Sequence, residues 1–432
     1  MISEKQVWAA LPSSGFLHSY VSWASHWTGA PVGFHAVAGL CLLSQTVPTD
    51  YAFPWAIPLR MNFYGLLVGP SGVGGKGRSI GVAREVLSPA VASEMEQPGS
   101  PQGCAESLSG KPQIIFYDEF GDFLEKTRTG QLAALRTTLT NLYDCAKVGN
   151  KLVDRPGKKK LVAQPNPRLS LLGGVTPSFL EEFGSKTDWD GGFMSRFFTI
   201  YAVRERKPPT VFQGGDEREH LSTMLGALAG DTGGGREDLF NALSAHCPCS
   251  GWASDAIPLW EEWMAEKDRI MARSSPLISG AVDRAATYTI KIAMLLAWDR
   301  GDARTRARWF LPADLLSHAI SLTSLHLESI AEVAAGLVFD RDARDERDMF
   351  RAIGTTPTPH GKALRHSGLS ARRGAETIRT LMEKGRISQV AGEPGEVCYQ
   401  RIEDVSNVIP FRLQVRIDDG ASPESDDLFP PP

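Results

Sequence analysis

Apolar positions along the chain repeat with two different periods. Phe16, Tyr20, Trp23 and Trp27 are spaced 4, 3 and 4, the period of one helix face. The stretch up to about Leu59 therefore predicts a helical pad packed on the rest of the chain, or an arm for subunit contact. The period then changes. Asn62 to Val68 is a short apolar run, a glycine-rich loop follows, and Ile80, Val82, Ala83, Val86 and Leu87 return to helical spacing. A polar loop is expected over about 93–111. Ile114 to Tyr117 is a second apolar run, closed by Asp118 and Glu119. Leu132, Leu135, Leu139 and Leu142 fall at helical spacing. Leu169 to Thr176 and Phe197 to Ala202 read as further strands. Strands alternating with helices predict an α/β sheet covered on both faces.

Proline and glycine punctuate 208–235, a boundary region. From about 237 to 340 the pattern is helical, with Trp260, Trp263, Met264 and Ile270, then Ile290, Ile292, Met294 and Leu295, then Leu315 to Leu327. An all-helical domain is expected there. Further on, helices are predicted around Met349 to Ile353, over His360 to His366 and over Ser370 to Lys384. Two short strands follow, Ile387 to Val390 and Val397 to Ile402, flanking a Glu-Pro-Gly-Glu turn. Three helices and a two-stranded wing predict a winged helix. The expected organisation is a helical segment (1–59), an α/β core carrying the glycine-rich loop (60–207), a helical domain (208–340), a winged helix (341–403) and an acidic disordered tail (404–432).

Composition narrows the classes. The chain has 432 residues, 42% hydrophobic and 22% charged, which excludes a disordered chain, a collagen-like fibre or a disulfide mini-scaffold. Its net charge is −4, so any nucleic-acid surface must be local. No apolar run is long enough for a membrane span, and the start lacks a basic region followed by an apolar one, so a cytoplasmic protein without a signal peptide is expected. The six cysteines are scattered, as in a reducing compartment. Cys247 and Cys249 beside His246 resemble half of a metal site, but no second pair stands at zinc spacing.

The loop Gly69-Pro70-Ser71-Gly72-Val73-Gly74-Gly75-Lys76-Gly77-Arg78-Ser79 lies between a predicted strand and a predicted helix. Phosphates need backbone N–H groups at close range, which glycine permits, together with a lysine and a hydroxyl for Mg²⁺. Lys76 comes one residue late for the usual spacing, and Gly77 stands where Ser or Thr belongs. A second register puts Arg78 in the lysine position, but a slim ammonium suits the loop interior better than a guanidinium. Gly69, Ser71, Gly72, Gly74, Gly75, Lys76, Gly77 and Ser79 are therefore the candidate ATP-binding residues, with Ser79 the nearest hydroxyl for Mg²⁺. Asp118 and Glu119 end a buried strand about 40 residues on. In such sheets ligands bind at the carboxyl ends of strands, so Asp118 is expected to hold Mg²⁺ and Glu119 to polarise the attacking water.

These features occur in order with Pro31, Phe34-His35, Leu142-Tyr143-Asp144, Pro167 to Gly174, Pro177 and Gly192-Phe193-Met194-Ser195-Arg196-Phe197. The set, over about 14–335, resembles the replicative helicase-like ATPases encoded by phages, plasmids and prophages, relatives of primase–helicases. Family members also tend to carry the late lysine; Gly77 departs from the Ser or Thr of many. The resemblance implies a RecA-like P-loop NTPase core, a ring, expected to be a hexamer, moving on DNA, and a bacterial host cell. Within it Arg196 is the candidate arginine finger, weighed evenly against an arginine that caps a helix or pairs with an acid such as Asp190. Thr176 is the candidate γ-phosphate sensor.

Seven basic residues against one acid fall between Lys147 and Arg168. Lys151, Arg155, Lys158, Lys159 and Lys160 read as a hairpin that would grip single-stranded phosphates in a ring channel, against the plainer reading of a solvated loop. Arg372, Arg373 and Arg379, on or near the third C-terminal helix, are placed to meet duplex DNA. The acidic tail ends Leu428-Phe429-Pro430-Pro431-Pro432 and is expected either to dock a replication partner or simply to solubilise. The sequence thus points to an ATP-dependent DNA helicase or translocase in replication. The alternative is a nucleotide-regulated DNA-binding initiator with little turnover.

Overall fold

In the computed structural model the described residues are 2–48, 51–55, 57–72, 74–89, 91–108, 112–145, 167–184, 188–189, 192–203, 211, 213–230, 249–302, 309–337, 341–391 and 397–402. The basic segment 147–166, His246, Cys247 and the tail lie outside them.

Three helices come first: α1 (Glu4–Ala10), α2 (Phe16–Thr28) and α3 (Val32–Thr46). Every residue of α3 is buried. Most of its side chains are apolar, around the whole helix, which places it inside a core rather than on its surface. Small residues seat it: a Cβ on Gly39 would come 2.6 Å from Leu17, and one on Gly65 2.4 Å from Val37. Of the N-terminal segment, α3 is thus an inner layer of the molecule, against the sheet.

After a two-stranded ribbon, β1 (Ala52–Phe53) with β2 (Leu59–Arg60), the sheet begins with β3 (Tyr64–Val68) and the loop that leads to α4 (Lys76–Val86). The stretch expected as one polar loop holds an edge strand, β4 (Ser93–Glu94), and a short helix, α5 (Pro101–Ser107). Ser100 caps that helix and Pro101 opens it, a start signal that the polar composition conceals. Then come β5 (Gln113–Tyr117), α6 (Phe120–Lys126), α7 (Ala133–Tyr143), β6 (Leu169–Val175), α8 (Pro177–Phe183) and β7 (Phe198–Tyr201). The five strands pair in parallel in the order β4-β5-β6-β3-β7, a topology compatible with a Rossmann- or RecA-like core. β3, β5 and β6 are buried along their whole length, as strands covered on both faces must be.

The helical part contributes α9 (Gly215–Leu228), α10 (Ala256–Arg273), α11 (Pro276–Arg300) and α12 (Ala313–Gly336). It is not all-helical. Cys249–Trp252 (β8) pairs in parallel with Trp309–Leu311 (β9), a ribbon too short to announce itself by period. α12 covers the free edge of β7: the N–H groups of Thr199 and Tyr201 donate to His326 Nδ1 (2.8 Å) and Ser329 Oγ (2.9 Å). One hydrophobic core runs from Ile2 to Ala334 and draws on all three of the segments before residue 340.

A second, separate core gathers Met349, Ile353, Ala363, Ile378, Leu381, Ile387 and Tyr399. It belongs to α13 (Arg341–Ala352), β10 (Thr358–Pro359), α14 (His360–Ser367), α15 (Ala371–Glu383), β11 (Ile387–Ala391) and β12 (Val397–Arg401). The three strands are antiparallel in the order β10-β12-β11. No described helix is long and apolar enough to cross a membrane.

Candidate nucleotide site

The glycine-rich loop follows Val68 at the carboxyl end of the sheet. Gly69 N–H donates to Val175 O (3.1 Å), which carries the β3–β6 pairing one residue into the loop. The chain then folds tightly on itself. A Cβ on Gly74 would lie 2.5 Å from Pro70 O. Gly75, with φ +74, is the N-cap of α4, and a Cβ there would also lie 2.7 Å from Ala30 Cβ. The loop is therefore seated on the α2–α3 turn, and glycine is required at these two positions for steric reasons. Gly77 differs: a Cβ there meets nothing within 4 Å.

No side chain caps α4. Its leading N–H groups have no partner within the helix, so they present donors and the positive end of the dipole. Ser71, Gly72 and Gly77 are exposed, whereas Lys76 is buried. Lys76 Nζ donates to Gly69 O (2.8 Å) and Pro70 O (2.9 Å), so the ammonium lies folded over the loop. Burial holds it below the usual lysine range, and the nearby Glu119 carboxylate opposes that shift. Ser79 is fully enclosed, and its hydroxyl donates back to Gly75 O (3.3 Å).

Gly174 of β6 marks where the elements converge. A Cβ there would lie 3.2 Å from Lys76 Cβ and 3.2 Å from Asp118 O. Asp118 and Glu119 are both exposed at the end of β5, and Glu119 is the N-cap position of α6 without capping it through its side chain. Arg84 reaches Asp118 Oδ2 (3.3 Å) and Glu94 Oε1 (3.0 Å) while lying over the Phe116 ring. Sequence reading did not single out Arg84. Its signal was the i, i+4, i+8 stripe Lys76, Ile80, Arg84 along one face of α4. Thr176 follows Val175 directly, and its hydroxyl accepts from Phe179 N–H (3.3 Å) as the N-cap of α8.

Arg196 stands at the other end of the sheet. Gly65 pairs with Phe198, so residues before Phe198 lie where the strands start, opposite the loop. Its guanidinium donates to Gly192 O (2.7 Å) and Asp144 Oδ2 (2.7 Å), and the residue is 9% exposed. The pairing partner is Asp144; Asp190 is outside the described residues. Arg284 also approaches Asp144 (3.8 Å). Lys291 lies alongside, fully enclosed, with Nζ on Asn62 O (2.7 Å) and 3.8 Å from the Tyr143 ring centre. Burial brings Lys291 down to about 7. A lone lysine between Ile290 and Ile292 was the sequence signal for that buried cation.

Of the candidate nucleic-acid residues, Lys151, Arg155, Lys158, Lys159 and Lys160 lie outside the described residues. Arg372 and Arg379, seven residues apart on α15, share one exposed face. Arg373 is engaged instead by Asp345 of α13. Cys249 is buried in β8, and no three His, Cys, Asp or Glu side chains gather as a metal-ligating group among the described residues.

No protein-family model matches the chain, and no curated protein matches it.

Proposed function

We propose that the chain is an ATP-hydrolysing motor with a RecA-like P-loop core, acting on DNA as a helicase or translocase in replication. The observation that carries the nucleotide part is the convergence at Gly174. There the start of α4 with Lys76 and the end of β5 with Asp118 and Glu119 meet at the carboxyl edge of a parallel sheet. The donor set fits a phosphate chain. The loop offers uncapped N–H groups, and the Lys76 ammonium rests on two loop carbonyls, which it can exchange for phosphate oxygens. A Mg²⁺ ion, when bound, would neutralise charge on the transferring phosphoryl group. Asp118 would hold that ion through water, and Glu119 would orient the attacking water. Arg84 would keep the Asp118 carboxylate turned toward α4.

DNA binding rests on two features. The C-terminal module has the helix and strand order of a winged helix, with Arg372 and Arg379 exposed on the helix that enters the major groove in such folds. The basic segment between Lys147 and Lys160 would supply the single-strand contacts. A ring of six is the assembly that the family resemblance implies. In this reading Arg196 is a structural residue, because its guanidinium is already held by Asp144 and Gly192 O of its own chain.

The second reading, a nucleotide-regulated DNA-binding switch, is favoured by one observation. Gly77 brings no hydroxyl, and that of Ser79 is turned back onto Gly75 O, so the metal would have few side-chain ligands. Glu119→Gln separates the two. In a motor it should bind ATP like wild type and lose about 10²-fold or more in turnover, measured by equilibrium dialysis and phosphate release. Equal turnover in the variant would remove Glu119 from the chemistry. Negligible turnover in both proteins, with sequence-specific duplex binding, would identify the switch.

A further inference from the structure

Among the described residues the two cores share no buried residue, and a polar contact spans the C-terminal module and the main body. Arg347 of α13 grips Glu181 of α8 with both arms of its guanidinium; the Nη2–Oε2 arm is 3.0 Å. Arg347 also donates to Gly336 O (2.9 Å) at the end of α12 and to Asp348 (2.9 Å). The Arg347 and Glu181 side chains are only 19% and 13% exposed. A paired fork of this kind fixes orientation as well as distance.

The position of Glu181 gives the pair its meaning. It lies on α8, a two-turn helix whose N-cap is Thr176, next to Val175, which pairs with the first residue of the glycine-rich loop. The same helix packs on α6, which starts immediately after Glu119. A Cβ on Gly121 would come 2.3 Å from Phe179 Cδ1, so the two helices are in close contact there. The Thr176 hydroxyl is at present the cap of α8. If it turned to a phosphate it would leave the Phe179 N–H without its partner, and helix caps typically contribute about 1 kcal/mol.

We propose that the Glu181–Arg347 pair is a latch through which the state of the nucleotide site sets the position of the C-terminal module. This rests on the nucleotide reading of the loop. The path runs from Thr176 and Glu119 through α8 to Glu181, and from Arg347 into α13 and its basic neighbours. Polar junctions between domains ordinarily permit relative motion, and an ion pair is a contact that two-state movement of α8 can make or break. Coupling of this kind is reciprocal, so DNA on the module would also alter nucleotide affinity.

The test is hydrogen exchange on the full chain with and without Mg²⁺ and ATPγS, beside equilibrium dialysis of ATPγS. In wild type, bound ATPγS should change exchange both in α8 and over 341–402. In Arg347→Ala the change in α8 should persist, and that in 341–402 should fall about fivefold or more. Glu181→Gln, which removes the carboxylate from the other side of the pair, should weaken the response in 341–402 to a similar extent. Arg347→Lys, which keeps the charge and loses the fork, is the substitute if the alanine variant does not fold, and should lose most of the response. ATPγS binding with 341–402 unresponsive in wild type, or equally responsive in the variants, would overturn the latch and leave the nucleotide site standing. No ATPγS binding in wild type would overturn both.

Discussion

At the scale of single residues the glycines of the loop divide into two kinds, and substitution separates them. Gly75→Ala should destabilise the fold by roughly 1–3 kcal/mol, because it combines a left-handed backbone with contact against Ala30. Gly77→Ser meets open space in the first turn of α4. It should leave thermal stability within about 1 kcal/mol of wild type and strengthen the Mg²⁺ dependence of turnover by supplying the missing hydroxyl. A thermal melt and a Mg²⁺ titration check the pair; Gly77→Ser without effect on the titration would place the metal elsewhere. That the loop and Lys76 follow one strand and Asp118 and Glu119 end another was legible, because these are local patterns at fixed spacing. Partner choice was not. That Arg196 meets Asp144, that Arg373 meets Asp345 and that the Ser79 hydroxyl turns back onto Gly75 all depend on tertiary placement, which no spacing encodes.

At the scale of elements the long buried strands were plain in the sequence, because parallel strands covered on both faces read as apolar runs. The short pieces were not. β4, β8 and β9 have two to four residues each, below the length at which period says anything. The edge of β7 shows what pattern leaves out. His326 lies in an apolar helix and serves as an acceptor for a strand N–H, and burial holds it down at about 4. His35, inside α3 and bonded to Thr28 Oγ1 (2.7 Å), is lowered by burial to about 3. Both must stay neutral in the fold. The unfolded chain takes up these protons near pH 6.5 and the folded chain does not, so stability is lost as pH falls from about 6.5 toward 4. Each histidine should contribute a slope of about 1.4 kcal/mol per pH unit across that window. Denaturant melts of His326→Gln, whose amide keeps an acceptor, should show a shallower slope than wild type. An unchanged slope would mean that His326 does not carry this acid sensitivity.

At the scale of the whole molecule the segments before residue 340 share one core, centred on the wholly buried α3. Composition shifts along the chain suggested separate units, because a pattern of elements does not say which of them share an interior. The core places the loop, the lysine and the two carboxylates at one edge of the sheet and the Asp144–Arg196 pair at the other. The central claim is that the first of these edges hydrolyses ATP in response to DNA. Phosphate release by wild type and by Lys76→Ala, with and without a single-stranded oligonucleotide, tests it most directly. The account predicts turnover in wild type, stimulated by the oligonucleotide and reduced at least about 10²-fold in the variant. Turnover that survives the loss of Lys76, or no turnover under any condition, would contradict it.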